Sequence, residues 1–410
     1  MALNIVWVAF FVIAFIVAVI KFLHDGDATI FKTLVDGIFD AAKSSVTDVA
    51  FSLAGTMVFF LGLMNIAEKA GAINWIARKL NPFMRRLFPE VPDGHPVMGE
   101  MVMNFSANML GLDNAATPFG LKAMKSLEDI NPNKGTASNP QIMFLVLHTS
   151  GLVLIPLSIF TYRIAAGSTD ATSVFIPCVL GTLITTLASI IIVGIKQKIK
   201  WDFVLAAWLV SLTALVAALM LAVNFMSAET KTVFSTITGN ITLYIIILAI
   251  ILGGVYKKVS VFDAFIEGAK EGFNVVLKII PYLVGMLVAI RVFRDSGALG
   301  YITDGIAYVL HLTGLNTDFA PALPTAIMKP FSGSGSRGLM IDAMHAYGPD
   351  SFIGKTACTF MGSADTTFYI LALYFGSVGI KKIRYAAWAG IAADFIGVIA
   401  AVIISYIFFH

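Results

Sequence analysis

Two stretches of the sequence place polar and helix-disrupting residues inside otherwise apolar surroundings. The first is Met98–Met124 and the second is Pro324–Met344. A plain membrane helix gains nothing from amides and hydroxyls, because unpaired polar groups in hydrocarbon are costly. Helices that break inside the membrane and line a protected cavity do use them. The two stretches therefore predict hydrogen-bonding chemistry at membrane depth, suited to a polar solute.

Each of these stretches precedes a segment that opens on small polar residues, around His148 in the first half and Asp365 in the second. Together the four segments would form a chamber that binds a neutral solute through many moderate hydrogen bonds. Serine, threonine and glycine also serve helix packing, and a lone histidine also serves structure, whereas an intramembrane carboxylate is a functional hypothesis by default. The predicted substrate-binding residues are Asn104, Ser106, Asn108, Asp113, Asn114, Thr117, His148, Ser150, Ser332, Ser334, Ser363, Asp365, Thr366 and Thr367.

Other chemistries find little support in the sequence. The motifs G-x-S-x-G, H-E-x-x-H and the P-loop are absent, and six scattered histidines with two cysteines do not make a metal site. We therefore expect no enzymatic activity, no metal and no cofactor. Cys178 and Cys358 lie far apart in apolar segments, which predicts buried thiols and no disulfide. Asp394 lies inside an apolar segment and has no visible partner in the sequence.

The composition indicates an all-α polytopic membrane protein. The chain has 410 residues, of which 58% are hydrophobic and 13% charged, with a mean hydropathy of +0.85; soluble domains carry about 25% charged residues. Its partners should be the lipid bilayer and a small polar solute, with no nucleic acid, and a homo-oligomer is left open. Membrane spans are predicted at Ala2–Ile20, Val46–Ile66, Gln141–Phe160, Ser173–Ile195, Phe203–Val223, Ile241–Tyr256, Val275–Val292, Cys358–Phe375 and Ala386–Phe409.

The two halves of the chain repeat one another weakly but in order. Asn104–Asn108 can be laid over Pro330–Ser334, and Lys122-Ala123-Met124 over Asp342-Ala343-Met344. Upstream, amphipathic stretches at Ile30–Ser44 and Val259–Phe273 also match, and each suits a helix in the membrane interface. The sequence thus predicts an internal duplication, with halves at 1–195 and 235–410 joined by a connecting span and loop at 196–234.

The placement of Lys and Arg predicts that the halves are inverted. Loop 67–96 holds five basic residues, whereas its equivalent, 295–325, holds none. The basic turn Lys381–Arg384 likewise corresponds to an uncharged turn at Gly167–Ser168. Basic loops stay in the cytoplasm, so equivalent loops should face opposite sides, as in transporters built from inverted repeats. We expect a bacterial cytoplasmic membrane protein with its N-terminus inside and His410 outside; a parallel duplication is the alternative.

Two long motifs carry a family resemblance. NFSANMLGLDNAATPFGLKAM (104–124) closely resembles the signature of the spore maturation protein A family. GPDSFIGKTACTFMGSADTTFYILALYFGSVGIKKIRYA (348–386) closely resembles that of the spore maturation protein B family. The chain resembles the two fused, within the broader nucleoside-recognition or Gate group, which is similar to parts of nucleoside and ferrous iron transporters. The resemblance implies a transporter-like fold and a link to spore maturation.

Two functions from different classes remain open at this point. In the first, the protein binds or moves a small polar or nucleoside-like solute, with the two broken stretches meeting at one mid-membrane site. In the second, it is a non-transporting scaffold or receptor for cell-envelope or spore-maturation machinery. Inverted halves with polar breaks favour the first, since a scaffold needs neither.

Overall fold

A computed structural model describes residues 2–410 apart from 112, 313 and 315, without the side chains of 2–6, 113–115, 228, 229, 232, 235 and 278. The described chain is almost entirely helical and contains no β-strand, as predicted. Its helices in the first half are α1 Ala2–Ile20, α2 Ile30–Ser44, α3 Phe51–Lys69, α4 Ala72–Leu87, α5 Val97–Met109, α6 Asp113–Asp129, α7 Asn139–Ser150, α8 Leu157–Ala165 and α9 Phe175–Lys196. Those that follow are α10 Phe203–Asn224, α11 Ala228–Tyr256, α12 Val261–Asp295, α13 Ala298–His311, α14 Leu323–Met328, α15 Gly333–Tyr347, α16 Phe352–Gly362, α17 Thr367–Ser377 and α18 Ala386–Phe409.

Seven helical segments of the described chain are long and apolar enough to cross a membrane, and each contains or overlaps one predicted span. The other two predicted spans, Gln141–Phe160 and Cys358–Phe375, are wrong as continuous helices. The first is interrupted between α7 and α8, and the second between α16 and α17. At the first interruption Gly151 has φ 59°, a left-handed conformation that a right-handed helix cannot contain.

The predicted interfacial helices are not separate elements. The first has the predicted bounds, Ile30–Ser44, but a widened helical turn at Ser45–Ala50 carries it without a break into α3. The second is the beginning of α12, which runs on to Asp295. A change from an amphipathic to an apolar pattern does not end a helix when the junction contains no proline or glycine, and neither junction does.

The breaks of the two polar stretches lie at positions different from those expected. Ser106 and Asn108 belong to the continuous helix α5, and the interruption follows at Leu110–Gly111. In the second half the interruption precedes α15. The overlay of Asn104–Asn108 on Pro330–Ser334 is therefore wrong by six residues. The alternative register, which pairs Lys122–Met124 with Asp342–Met344, places the two interruptions at equivalent positions.

The succession of elements from α3 to α9 recurs from α12 to α18. In both series a long helix ends at a left-handed glycine that begins the next helix, Gly71 (φ 80°) or Gly297 (φ 89°). A break between two helices follows, and a second break precedes the short helix α8 or α17. The inverted relation of the two series stays a prediction.

The helices form two compact units, and both units contain segments from both series. The first unit comprises Met1–Leu61, Ser158–Ala171 and Ala269–Met361; the second comprises Gly62–Leu157, Thr172–Gly268 and Gly362–His410. Short helix α8, of the first series, therefore belongs with α13–α16, and α17, of the second series, belongs with α4–α7. Helix α8 of the first series thus lies in the unit that contains the broken stretch of the second series. Helix α17 of the second series lies in the unit that contains the broken stretch of the first.

In the first unit a buried arginine holds the turn after α8 to the loop between α15 and α16. Arg163 is fully buried, and its guanidinium donates to the backbone oxygens of Asp170 (2.9 Å), Ala171 (3.1 Å) and Pro349 (2.6 Å). It also pairs with a carboxylate oxygen of Asp350 at 2.8 Å. The loop between α15 and α16 is thus held to the turn after α8 by one side chain.

In the second unit the equivalent turn, after α17, is fastened by main-chain bonds. The N–H groups of Lys381 and Lys382 donate to the oxygen of Gly135, and Ala137 N–H donates to Lys382 O at 2.9 Å. Arg384 adds one bond, from Nη1 to the Ala137 oxygen at 3.0 Å. The loop between α6 and α7 is thereby held to the turn after α17.

Candidate functional site

Two asparagines and a histidine form a buried network in the second unit. Asn104 on α5 is fully buried and His148 on α7 is nearly so. The Asn104 Oδ1 atom lies 2.9 Å from His148 Nδ1, and the Asn108 Nδ2 atom lies 3.1 Å from the same nitrogen. Asn104 and Asn108 share one face of α5 because residues four apart are neighbours on a helix. The network therefore joins three of the residues predicted from the sequence.

The hydrogen bonds of Asn104 determine the state of His148. The Asn104 NH2 group donates to the Ala116 oxygen at 2.7 Å, so its carbonyl oxygen is the atom that faces the ring. That arrangement requires His148 Nδ1 to carry a proton and to donate. The Asn108 NH2 group, which lies 3.1 Å from the same nitrogen, cannot donate to it in that state and is left for another acceptor. The network offers an amide donor that is held in place by buried partners.

Tyr374 on α17 packs against this network, although no pattern in the sequence indicates it. Tyr374 is 1% exposed, its ring centre lies 5.0 Å from that of His148, and its hydroxyl lies with the Asn104 amide beside Gly120. The ring packs against Gly120, where a Cβ atom would lie 2.6 Å from the Tyr374 hydroxyl. An isolated tyrosine in the run LALYFGS carries no sequence signal, but a buried tyrosine hydroxyl usually has a partner.

The helix interruptions around this network hydrogen-bond to one another. The N–H group of Leu154, in the break before α8, donates to the C-terminal oxygen of Met109 on α5 at 2.9 Å. The N–H group of Asp365, in the break before α17, donates to Thr149 O on α7 at 2.8 Å. Carbonyls at helix C-termini lack partners in their own helix. Here an N–H group from a neighbouring break donates to each of these two carbonyls. Three interruptions thus occur at one place in the second unit.

The predicted hydroxyl residues have different surroundings. Thr367 is fully buried and donates to Asp394 Oδ2 at 2.6 Å, which supplies the partner that the sequence did not reveal. Ser150 lies 3.0 Å from the Thr186 hydroxyl. Ser106 donates to the Val102 oxygen of its own helix at 2.7 Å. Ser363 and Thr366 are buried in the break before α17.

Of the two predicted carboxylates, Asp113 and Asp365, the structure describes only the side chain of Asp365. Asp365 is exposed, and its Oδ1 atom accepts the N–H bond of Thr366 at 2.7 Å. Asp113 and Asn114 begin α6, but their side chains lie outside the described residues. The chemistry of the first break is therefore established by Asn104, Asn108 and His148.

A cavity of about 60 Å³ lies beside the network. Its walls are mostly apolar, with Phe83 and Leu147 among them, and its polar lining residues are Asn108, His148 and Thr186. This volume holds a few water molecules, whereas small-molecule sites occupy about 300–1,000 Å³. A solute as large as a nucleoside needs the surrounding breaks to open.

The second predicted stretch belongs to the first unit. Ser332 begins α15, and its hydroxyl accepts the Gly335 N–H at 3.0 Å, a typical N-cap. Ser334 follows within the first turn, with its hydroxyl 3.2 Å from that of Ser332. Ser336 is fully buried and donates to Thr325 O of α14 at 2.7 Å. Hydroxyls of this stretch therefore stabilise the break, and Ser334 also lines a cavity.

Cys178 and Cys358 are both buried thiols, as predicted, and no disulfide joins them.

Comparison with known proteins gives a consistent result. A family model for nucleoside recognition, called Gate, matches residues 50–196 and 276–381, which together exceed half of the chain. Spore maturation protein B of Bacillus subtilis (strain 168) is 48% identical over 165 residues, covering 40% of this chain and 91% of that protein. Spore maturation protein A of the same organism is 40% identical over 190 residues, covering 46% of this chain and 92% of that protein. The resemblance predicted from the two motifs is confirmed.

Proposed function

The chain belongs to the nucleoside-recognition family called Gate, and on this premise we propose that it binds a small polar solute and moves it across the membrane. It is a multi-pass membrane protein related to spore maturation proteins A and B. A nucleoside is the first solute class to test, because the family model is described by nucleoside recognition. The proposal assigns no reaction, metal or cofactor to the chain.

The observation that carries the proposal is the buried Asn104–His148–Asn108 network at three helix interruptions. Burying amide and imidazole groups is costly unless they are hydrogen-bonded, and stable packing alone does not require them. Interrupted helices are tolerated at membrane depth where they line a cavity. The network supplies a positioned donor beside such a cavity.

Movement of the solute would follow from the short helices. Helices α8 and α17 each begin after an interruption, so a break can open without unfolding a long span. Transporters with discontinuous helices gate by moving one repeat or bundle against the other around the site. The small cavity next to Asn108 then represents a closed form of the site.

The proposal is tested by binding to the purified full chain in detergent. We expect uridine or adenosine to raise the thermal unfolding temperature, and Asn108→Ala to weaken binding by about 0.5–1.5 kcal/mol, the net value of one hydrogen bond. The matched control is Asn65→Ala, whose amide donates to Ala264 O away from the cavity. An equal loss of solute affinity in Asn108→Ala and Asn65→Ala would show that Asn108 contributes to stability alone.

The rival function is a non-transporting scaffold or receptor, and one observation favours it: both relatives are named for spore maturation. Solute flux separates the two functions. Proteoliposomes containing the protein should take up a solute that stabilises it, and Asn108→Ala should slow that uptake. Binding without flux would favour the receptor.

We also propose that the halves are inverted, with the N-terminus in the cytoplasm and His410 outside. The support is the charge difference between loops 67–96 and 295–325. Single cysteines at Arg85 and Lys382 should react with impermeant reagents from the cytoplasmic side, and one at Thr317 from outside. Labelling of Arg85 and Thr317 positions from the same face would contradict inversion.

A further inference from the structure

Helix α4 of the second unit has two faces of opposite character. One face packs into the hydrophobic core through Met84 and Leu87, which are buried. The other face is exposed and presents Arg78, Lys79 and Arg85. Arg78 and Arg85 are seven positions apart and therefore lie one above the other, with Lys79 beside them. Helix α4 contains no acidic residue, so this outer face is positively charged.

The three cations of the outer face form no hydrogen bond or ion pair within the part of the chain that the structure describes. The fourth cation of the helix, Arg86, differs from them, because its Nε atom lies 2.7 Å from Asp202 Oδ2. Most lysines and arginines of a folded protein are exposed, so their charge alone does not identify a partner. The position of α4 relative to the membrane spans supplies the missing information.

The C-terminal end of α4 lies beside the beginning of a membrane span. Asp202, the partner of Arg86, directly precedes α10, which is long and apolar enough to cross a membrane. The ring centre of Phe83 lies 5.8 Å from that of Trp208, an exposed residue of α10. A span ends where the lipid headgroups begin, so this end of α4 lies at the level of the headgroups.

An exposed tryptophan lies on the same face of α4 as the cations. Trp75 is 59% exposed and precedes Arg78 and Lys79 by three and four positions, the spacings of neighbours on a helix. An indole that faces water gains nothing from its apolar surface, whereas tryptophan is enriched at the membrane interface. A helix face that combines tryptophan with lysine and arginine is typical of helices that lie on anionic membranes.

Helix α13, at the equivalent place in the second series, provides a contrast. It also begins at a left-handed glycine and exposes aromatic side chains, those of Tyr301 and Tyr308. It contains no lysine or arginine, and its carboxylate residue, Asp304, is exposed. Exposed aromatic side chains are thus common to the two helices, whereas the cations belong to α4. A position at the membrane interface does not by itself require them.

We propose that the outer face of α4 binds the headgroups of anionic phospholipids, with Arg78, Lys79 and Arg85 against the phosphates and Trp75 among the headgroups. Attraction to an anionic bilayer raises affinity about fivefold for each lysine or arginine near the surface, the equivalent of about 1 kcal/mol. The guanidinium groups can also donate to two phosphate oxygens at once. This surface goes beyond the proposed function and shares no residue with the Asn104–His148–Asn108 network.

The test uses bilayers that contain the full chain and measures how strongly brominated lipids quench the fluorescence of Trp75. Bromine close to the headgroup end of an acyl chain quenches a tryptophan that the lipid contacts, and the signal that Trp75→Phe removes is the signal of Trp75. We expect brominated phosphatidylglycerol to quench this signal more strongly than brominated phosphatidylcholine. High salt should remove the difference, because salt screens exposed charges.

Removal of the cations should reduce the preference for the anionic lipid. Lys79→Gln should lower the affinity for phosphatidylglycerol relative to phosphatidylcholine about fivefold, and Arg78→Gln, Lys79→Gln and Arg85→Gln combined should abolish the preference. Arg78→Lys combined with Arg85→Lys keeps the charge and should retain most of it. The matched control is Lys125→Gln, which removes an exposed and unpaired cation from α6 and should leave the Trp75 signal unchanged.

Unfolding temperatures show whether each variant is folded, and Lys79→Gln decides the matter if the triple variant is not. Equal quenching of Trp75 by the two lipids in the wild type would overturn the proposal, as would a preference that persists in the folded variants or at high salt. Quenching by neither lipid would mean that the outer face of α4 is in water and open to a soluble acidic partner instead. The measurement reports lipid contact at Trp75, so none of these outcomes bears on solute binding at Asn108.

Discussion

Two equivalent junctions, one in each unit, perform the same task with different chemistry. In the first unit a single buried guanidinium, that of Arg163, holds the turn after α8 to the loop at Pro349–Asp350. In the second unit backbone bonds between Gly135–Ala137 and Lys381–Lys382 hold the turn after α17. The comparison teaches that the succession of helices can recur while the residues that secure it diverge, which explains why the two halves match so weakly in sequence.

The largest effect should come from removing the arginine. Arg163→Met keeps much of the volume but leaves carbonyls of two loops without their donor and removes the cation beside Asp350, which keeps its bonds from Ser168 and Thr169. An acceptor that loses its donor away from solvent costs about 1–3 kcal/mol, and three carbonyls lose theirs together, so the free energy of unfolding should fall by about 3 kcal/mol or more. Thermal or denaturant unfolding of the purified chain measures the loss. Arg163→Lys is the control, and it should recover only part of the stability because a lysine cannot supply the planar fork.

A smaller effect is expected when Asp350 loses its charge. Burial raises the pKa of this carboxyl, but hydrogen bonds from Ser168 and Thr169 and the nearby Arg163 outweigh it, so the pKa lies below its usual value. A lowered folded-state pKa means that the stabilisation is complete above the unfolded pKa and is lost as pH falls through the folded one. Asp350→Asn should cost about 1–3 kcal/mol at neutral pH.

Asp350→Asn should also change how the unfolding temperature depends on pH. Stability of the wild type should fall with acidification more steeply than that of Asp350→Asn, whose side chain does not titrate. Unfolding temperatures measured between neutral pH and pH 3 make the comparison. Parallel profiles would mean that Asp350 does not contribute through its charge.

The smallest effects should come from the backbone junction. Arg384→Ala removes one exposed side-chain bond and should cost about 0.5–1.5 kcal/mol. Lys382→Ala should stay within about 0.5 kcal/mol, because its contribution is made by main-chain atoms and surface substitutions are usually neutral. If Arg384→Ala destabilised the protein as much as Arg163→Met, the contrast between the junctions would be wrong.

The sequence predicted the helices that depend on apolar length alone. Seven spans were found because each of them is an uninterrupted apolar run. The run from Gln141 to Phe160 looked the same, yet Gly151 takes a left-handed conformation that hydropathy does not register. Conversely, the change of sequence pattern before Val46 predicts a break, although nothing there prevents the helix from continuing.

The candidate site was predicted in composition but only partly in arrangement. Asn104, Asn108 and His148 were expected to be functional and do come together. Their register relative to the break was wrong, because residues such as Ser106 satisfy their hydroxyls within their own helix and do not need an interruption. Tyr374 was missed since its contact with Asn104 joins residues that are 270 positions apart.

Because α8 and α17 each lie in the unit that contains most of the other series, joining the two halves in one chain affects how the units assemble. Each unit needs a segment from the far half, so separate halves would have to find each other by diffusion in the membrane before either unit could be completed. Helices α10 and α11 replace that encounter with an intramolecular one, and short tethers give effective concentrations of about millimolar. During synthesis, α8 nevertheless cannot form its contacts with the loop at Pro349–Asp350 until that loop has been synthesised. The first unit is therefore completed late. The fused chain fixes the stoichiometry of its two halves at one to one and makes their association independent of expression level.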